Sequence, residues 1–504
     1  MPATDSAQRD AARTHLRRFR ILVGTPANLC GLCACLLKWG SVQLHSSFQE
    51  SCKRLQRRVN SRLFGGVSAN AYGQAVTLLI QFGSVPLLLS AWGKQTFGLW
   101  VVISAIPSYL ALGEFGFSSA AANDMTLATA RGAHAKAREV FESVLALQTL
   151  VALSLFAIVS TIVLLVPARL LPQTATISGA EVRLVWILQT LQVAATLSCG
   201  AFAGGFQSSG RYALGVFLNS SSRLMESLAL VVGATLFHGF AAAATLMLAT
   251  RLATMVGMAV LLFRAAPWLR LGFRKASVAH IRRLASPALA ALIAGASFAV
   301  SLQGFVLVVG AMLSLDAVAV FSTVRTLTRT IIQAGGVVNH AIMPELTRAF
   351  SVEDGLRIRR LIRLNLVSVL ALNAVALALV ATLGTWVVAL WTRGHIVPDP
   401  VLVIGLAGVA SLHSFWLSRA NLLLAVNRQA DFSYWFLAVS LLTVLGAVPA
   451  AHAFGVEGLL LPLLAGESVM IVIVALPFRK IFGERASDDA ARRNTIAHPQ
   501  EVRT

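Results

Sequence analysis

Charge is scarce in this sequence. Asp, Glu, Lys and Arg together make up 12% of its 504 residues, against roughly 25% in soluble domains. A chain this poor in charge lacks the polar surface to stay in water as a globule. Acidic residues are the scarcest, 21 against 42 basic ones, for a formal net charge of +21. In a soluble protein such an excess would point to nucleic acid. Here Lys- and Arg-rich cytoplasmic loops account for it through the positive-inside rule, so no nucleic-acid partner is expected. Cysteine is limited to Cys30, Cys33, Cys35, Cys52 and Cys199. The first three have dithiol spacing, but no second pair or His pattern completes a zinc site. The sequence also lacks a Walker motif, a helical His-Glu-x-x-His site and a Gly-x-Ser-x-Gly elbow. Enzymatic activity, a resident metal and a cofactor are therefore not expected. Energy for any work must come from an ion gradient, the membrane potential, the substrate's own gradient or a separate protein.

What fills the chain instead is apolar: 57% of residues are hydrophobic and the mean hydropathy is +0.74. Apolar windows of about 20 residues, each long enough to cross a hydrocarbon core of ~30 Å as a helix, recur between residues 66 and 482. They rarely alternate with period two, which disfavours an outer-membrane barrel. The spans predicted are 66–91, 97–122, 142–167, 183–206, 212–237 and 239–263, then 286–310, 316–341, 364–391, 401–426, 432–453 and 457–479. The fold class is therefore an all-α integral membrane protein of about twelve transmembrane helices. Residues 1–62 read as a basic cytoplasmic leader, with Pro26 interrupting its one mildly apolar stretch. Residues 63–263 form an N-terminal six-helix half, 264–285 a basic cytoplasmic linker, 286–482 a C-terminal six-helix half, and 483–504 a cytoplasmic tail.

Loop charges set the orientation. Loops on one side hold a long series of basic residues from Arg131 to Arg428, while the other side holds only Lys94, Arg169 and Arg393. Both termini are placed in the cytoplasm. The halves also read as one unit duplicated. Asn123-Asp124-Met125-Thr126 corresponds to Pro344-Glu345-Leu346-Thr347, and Gln207–Tyr212 corresponds to Asn427–Phe432, both at offsets near 220. An even number of spans separates the copies, so they share one topology about an axis along the membrane normal. Parallel repeats of this kind occur in transporters, whose substrate sites lie between the halves.

Ionisable residues at bilayer depth are expensive, roughly 2.5–3.5 kcal/mol for Arg, and each needs a reason. Within the spans stand Arg223, Arg251, Arg325, Arg329 and Arg419, with Glu114, Glu226 and Glu467. Arg223 and Glu226 lie three apart on one helical face, the spacing of a local ion pair. Arg325 and Arg329 lie four apart with Thr326, Thr328 and Thr330 beside them. Two neighbouring cations must face water, an anionic ligand, or a carboxylate on another helix, for which Glu114 and Glu467 are the candidates. Arg419, near the inner end of its span, has the position of a residue that snorkels to the cytoplasmic interface. Arg251 has no partner evident in the sequence. Glu114 and Glu467 serve either as proton or cation sites or as counter-charges.

The stretch Phe97-Gly98-Leu99-Trp100, Ile106-Pro107-Ser108-Tyr109-Leu110, Glu114-Phe115-Gly116-Phe117 and Ala121-Ala122-Asn123 resembles the polysaccharide transporters. It is similar to the O-antigen flippases (Wzx-type translocases), which share a superfamily with MATE multidrug exporters and peptidoglycan lipid flippases. The resemblance covers residues 63 to about 482, chiefly as architecture outside the motif, and Glu114 stands where an Asp is more usual. It implies a bacterial inner-membrane flippase carrying a polyprenyl-diphosphate-linked oligosaccharide to the periplasmic leaflet, for lipopolysaccharide O-antigen or exopolysaccharide. The lipid-linked oligosaccharide and membrane lipids would then be its ligands, and a polysaccharide polymerase and glycosyltransferases its protein partners. On that reading Arg325 and Arg329, followed by Arg223 and Arg251, face the diphosphate or line the lumen. Glu114, Glu226 and Glu467 couple transport or balance charge. Two rival readings stay open: a cation-coupled multidrug exporter of the MATE type, and a non-transporting scaffold of a polysaccharide-assembly complex.

Overall fold

The structure is a computed structural model that describes residues 45–110, 117–167, 170–237, 239–273, 275–351, 354–425, 428 and 430–497. It divides into two units, residues 1–65 and 66–504. In the first unit, residues 45–65 are helical; the rest of the leader, with Cys30, Cys33 and Cys35, lies outside the described residues. The second unit is an all-helical bundle.

Among the described residues twelve helices occur in order: α1 His45–Leu110, α2 Phe117–Ala130, α3 His134–Leu165, α4 Gly179–Ser208, α5 Tyr212–Thr235, α6 Phe240–Ala265, α7 Val278–Met312, α8 Leu315–Ser351, α9 Gly355–Trp391, α10 Pro400–Ala425, α11 Ala430–Gly458 and α12 Leu460–Ala497. Helices are the expected form, because lipid offers backbone N–H and C=O groups no partners and an α-helix satisfies them internally. Nine stretches among the described residues are long and apolar enough to cross a membrane. One of them, Ser68–Tyr109, has 42 residues, about 63 Å of helix at 1.5 Å per residue, which is two passes. It breaks at Gly93, whose φ of 69° is open to glycine at little cost. The predicted first and second spans meet there. Two further helices, α5 and α8, match predicted spans but fall outside the apolar set. They carry Arg223 with Glu226, and Arg325 with Arg329.

The outer surface is apolar. In α3, Leu150, Leu153, Ile158 and Ile162 are exposed, and in α9 so are Leu364, Val367, Leu370 and Leu379. On a soluble protein such a face would drive aggregation; on a multi-pass membrane protein it is the lipid contact.

The buried clusters show how the halves meet. One joins Leu89, Leu99 and Ile103 of α1 with Val182, Ala234 and Phe240 of the first half and Ala319, Val388 and Ile396 of the second. Another sets Val102 and Ala105 against Phe305, Val309 and Phe321. Both lie toward the end bearing the 166–178 and 392–399 loops. There Gly98 packs directly on the Leu315 carbonyl, where a Cβ would overlap it. Trp391 Nε1 donates to the Phe82 carbonyl at 2.8 Å, and Gln333 Nε2 to Gln81 Oε1 at 3.0 Å. At the opposite end the clusters separate by half, one around Phe141, Phe202 and Leu262, the other around Leu346, Trp416 and Leu423. α7 also touches α2 and α3.

The connector between halves is tied to the first. Fully buried Glu142 on α3 accepts from Arg138 Nε at 2.7 Å and from the backbone N–H of Lys275 at 2.8 Å. Ser143 Oγ accepts from the N–H of Ser277 at 2.9 Å. α7 starts at the next residue, Val278, inside the stretch read as linker, and runs unbroken into the seventh span.

Candidate functional site

Arg325 and Arg329 form the centre of the site. Arg325 lies ten residues into α8, about 15 Å along its axis, hence near mid-depth of a ~30 Å core. Its guanidinium lies 5.4 Å from the Phe321 ring centroid and donates through Nη2 to the Leu302 carbonyl on α7. The hydroxyls of Thr326, Thr328 and Thr330 donate to their own helix backbone. That satisfies each of them without a charged partner. Among the described residues neither arginine makes an ion pair.

Two cavities meet at these arginines. One, of about 300 Å³, lies between the halves: Ser84, Trp100 and Ser104 of α1 and Leu230 of α5 face Gln303 of α7 and Thr326 of α8. The other, of about 320 Å³, lies inside the C-terminal half among α7, α8, α10 and α12, with His413 and Glu467 on its wall. Arg325 and Arg329 line both. The arrangement presents two forked, permanently charged donors to a space between the halves, where a phosphate or another anion can accept from them.

Across the inner chamber, Glu467 is held by other groups. His413 Nδ1 lies 3.0 Å from its Oε1, and Trp416 Nε1 donates to its Oε2. Phe298 and Phe436 pack edge-on against the His413 and Trp416 rings. Glu467 thus shares a chamber with the arginines while its hydrogen bonds go to an imidazole and an indole. His413 and Trp416 were not singled out from the sequence. A histidine in an apolar span, with Trp three residues on along the same face, is the signal that could have found them.

The remaining predicted residues separate from this centre. Glu226 pairs with Arg251, not Arg223: Arg251 Nη2 is 2.8 Å from Glu226 Oε1. Gln192 Nε2 donates to Glu226 Oε2 at 2.7 Å and Ser222 Oγ to Oε1 at 3.1 Å. This buried network pins α4, α5 and α6 together and lines neither cavity. The i, i+3 spacing is geometrically sound, but Glu226 turns inward while Arg223 is exposed on the outer face of α5. Glu114 lies outside the described residues. Arg419 sits between the Phe415 and Phe478 rings near the end of α10.

No family model matches the chain, and no curated protein does. Solved structures match its architecture. An inward-facing multidrug resistance MATE family transporter of the MOP superfamily aligns with a TM-score of 0.69 at 13% identity, covering 81% of this chain and 95% of its own. An outward-facing MATE transporter of that superfamily scores 0.58 at 13% identity, with 84% and 96% covered. The lipid II flippase MurJ, in an inward closed conformation, scores 0.64 at 10% identity, with 86% and 93% covered. The chain shares the fold of these structures. Identities this low establish architecture alone, an all-helical fold shared over most of the chain. That fold is common to the multidrug resistance transporters and to the lipid II flippase.

Proposed function

We propose that this protein is a flippase of the Wzx type in a bacterial inner membrane. Its substrate would be a polyprenyl-diphosphate-linked oligosaccharide, moved from the cytoplasmic to the periplasmic leaflet during O-antigen or exopolysaccharide synthesis. The observation that carries the reading is the pair Arg325 and Arg329: two guanidinium groups at mid-depth, on the wall between the halves, with no carboxylate bound to either among the described residues. A diphosphate supplies the missing acceptors, and bidentate geometry suits Arg to it. The sugars would occupy the cavity between the halves while the polyprenyl tail stays in lipid.

The loop charges support cytoplasmic termini. In that orientation the shared core of α1, α7 and α8 lies toward the periplasmic end. Glu467 is the carboxylate placed to couple transport or to balance charge, since it shares a chamber with both arginines. Glu226 is committed to Arg251. The second reading, a cation-coupled multidrug exporter, is favoured by the apolar walls of the inner chamber around His413 and Glu467, and the fold comparisons support it equally. Proteoliposomes separate the two. Fluorescent lipid-linked oligosaccharide should change leaflets with the wild-type protein. Drug efflux without lipid flipping would overturn the proposal.

A further inference from the structure

α9, α10 and α12 enclose a narrow groove of about 50 Å³ that shares no lining residue with either arginine cavity. Ile362, Leu366 and Val369 form its apolar wall, and Arg419 its charged end. The Arg419 guanidinium stacks 3.9 Å from the Phe415 ring centroid and 6.0 Å from that of Phe478. The rings hold the side chain half-buried inside the groove, whereas snorkelling alone would carry it out to water. Its N–H fork makes no hydrogen bond or ion pair among the described residues. Arg479, next to Phe478 on α12, is close enough to act on Arg419 electrostatically and likewise has no carboxylate partner among the described residues.

Arg419 lines the groove while the exposed Arg479 lies outside its lining, so an unsatisfied guanidinium with a second positive charge nearby suits an anion. Arg419 lies six residues before the end of α10 at Ala425, about 9 Å along the axis, the depth at which the hydrocarbon gives way to headgroups. The neighbouring turns expose Leu364, Val367 and Leu370 on α9 and Leu476 on α12, so the groove opens among lipid-facing side chains. A ligand here must join an anionic head to an apolar chain, and the groove is too narrow for an oligosaccharide.

We infer that this groove holds the headgroup of an anionic phospholipid, the phosphate bridging Arg419 and Arg479 and one acyl chain lying along Ile362, Leu366 and Val369. The site stands whatever the central cavity carries. Full-length protein in neutral detergent, titrated with phosphatidylglycerol and separately with phosphatidylcholine, tests it by native mass spectrometry. The wild type should retain one phosphatidylglycerol more tightly than any phosphatidylcholine. Arg419→Gln should weaken that binding by about fivefold or more, the scale of one basic residue at an anionic surface, and Arg419→Lys should weaken it less. Thermal unfolding in lipid-free detergent shows whether Arg419→Gln is folded; if it is not, the exposed Arg479→Gln carries the test with the same expected loss. Equal affinity for the two lipids, or unchanged phosphatidylglycerol binding in a folded variant, overturns the assignment.

Discussion

The arginines at bilayer depth divide by what their guanidinium groups touch. Arg251 is bound to Glu226, Gln192 supports the pair, and Ser222 and Thr254 complete the network. Removing one partner of a buried ion pair strands the other charge, at about 3–5 kcal/mol. Arg251→Met should therefore lower the melting temperature and the amount of protein in the membrane. The double variant with Glu226→Gln should recover part of both, as read by thermal unfolding and immunoblot. Arg325 and Arg329 predict the opposite signature. Alanine at either should leave abundance unchanged and abolish surface glycan. Loss of one charged hydrogen-bonding group, worth about 1.5–3 kcal/mol, corresponds to a ten- to hundredfold slower flipping rate in proteoliposomes. Equal loss of protein and glycan would show these two to be structural charges.

At the scale of helices, the outer seal rests on a glycine. Gly98 on α1 lies against the backbone carbonyl of Leu315 at the start of α8, and backbone cannot swing aside as a flexible side chain can. Gly98→Val should force the two elements apart and shift the protein toward an outward-open state. Thiol labelling of cysteines introduced at Val102 or Phe321, both buried in one cluster, should accelerate, and the substrate-loading state should become rarer. Much at this scale was legible in the sequence, because lipid permits little besides apolar helices: an all-helical chain of about twelve helices follows from composition and length. The break between the first two spans, predicted between residues 91 and 97, falls at Gly93. One pairing was not legible. The Glu226–Arg251 pair joins residues on different helices, and a preference for near neighbours in sequence selected Arg223 instead. Arg325 and Arg329 stood out because a repelling pair at i, i+4 has no local remedy. His413 was passed over because a single imidazole in an apolar helix carries no such conflict.

At the scale of the whole molecule, the duplication proposed from the sequence would be one of framework more than of chemistry. At the offset of about 220 residues, Arg325 and Arg329 fall opposite Ala105 and Tyr109, and Glu467 opposite Met247. On the proposed reading anion-facing charge belongs to residues 286–482, while in residues 63–263 the buried Arg251 is neutralised by Glu226. Motion of one half against the other requires a pivot, and the connector limits where it can be. Glu142 and Ser143 hold the backbone at Lys275 and Ser277, and helix resumes immediately at Val278. Spin labels at Lys136 and Ala276 should keep a constant separation throughout the transport cycle, while labels at Lys136 and Arg360 should change theirs. The connector then behaves as a bracket bolted to one wall of a doorway, not as a slack rope. Lengthening it by a few flexible residues after Ser277 would let the second half drift as well as turn, and would uncouple opening of one mouth from closing of the other.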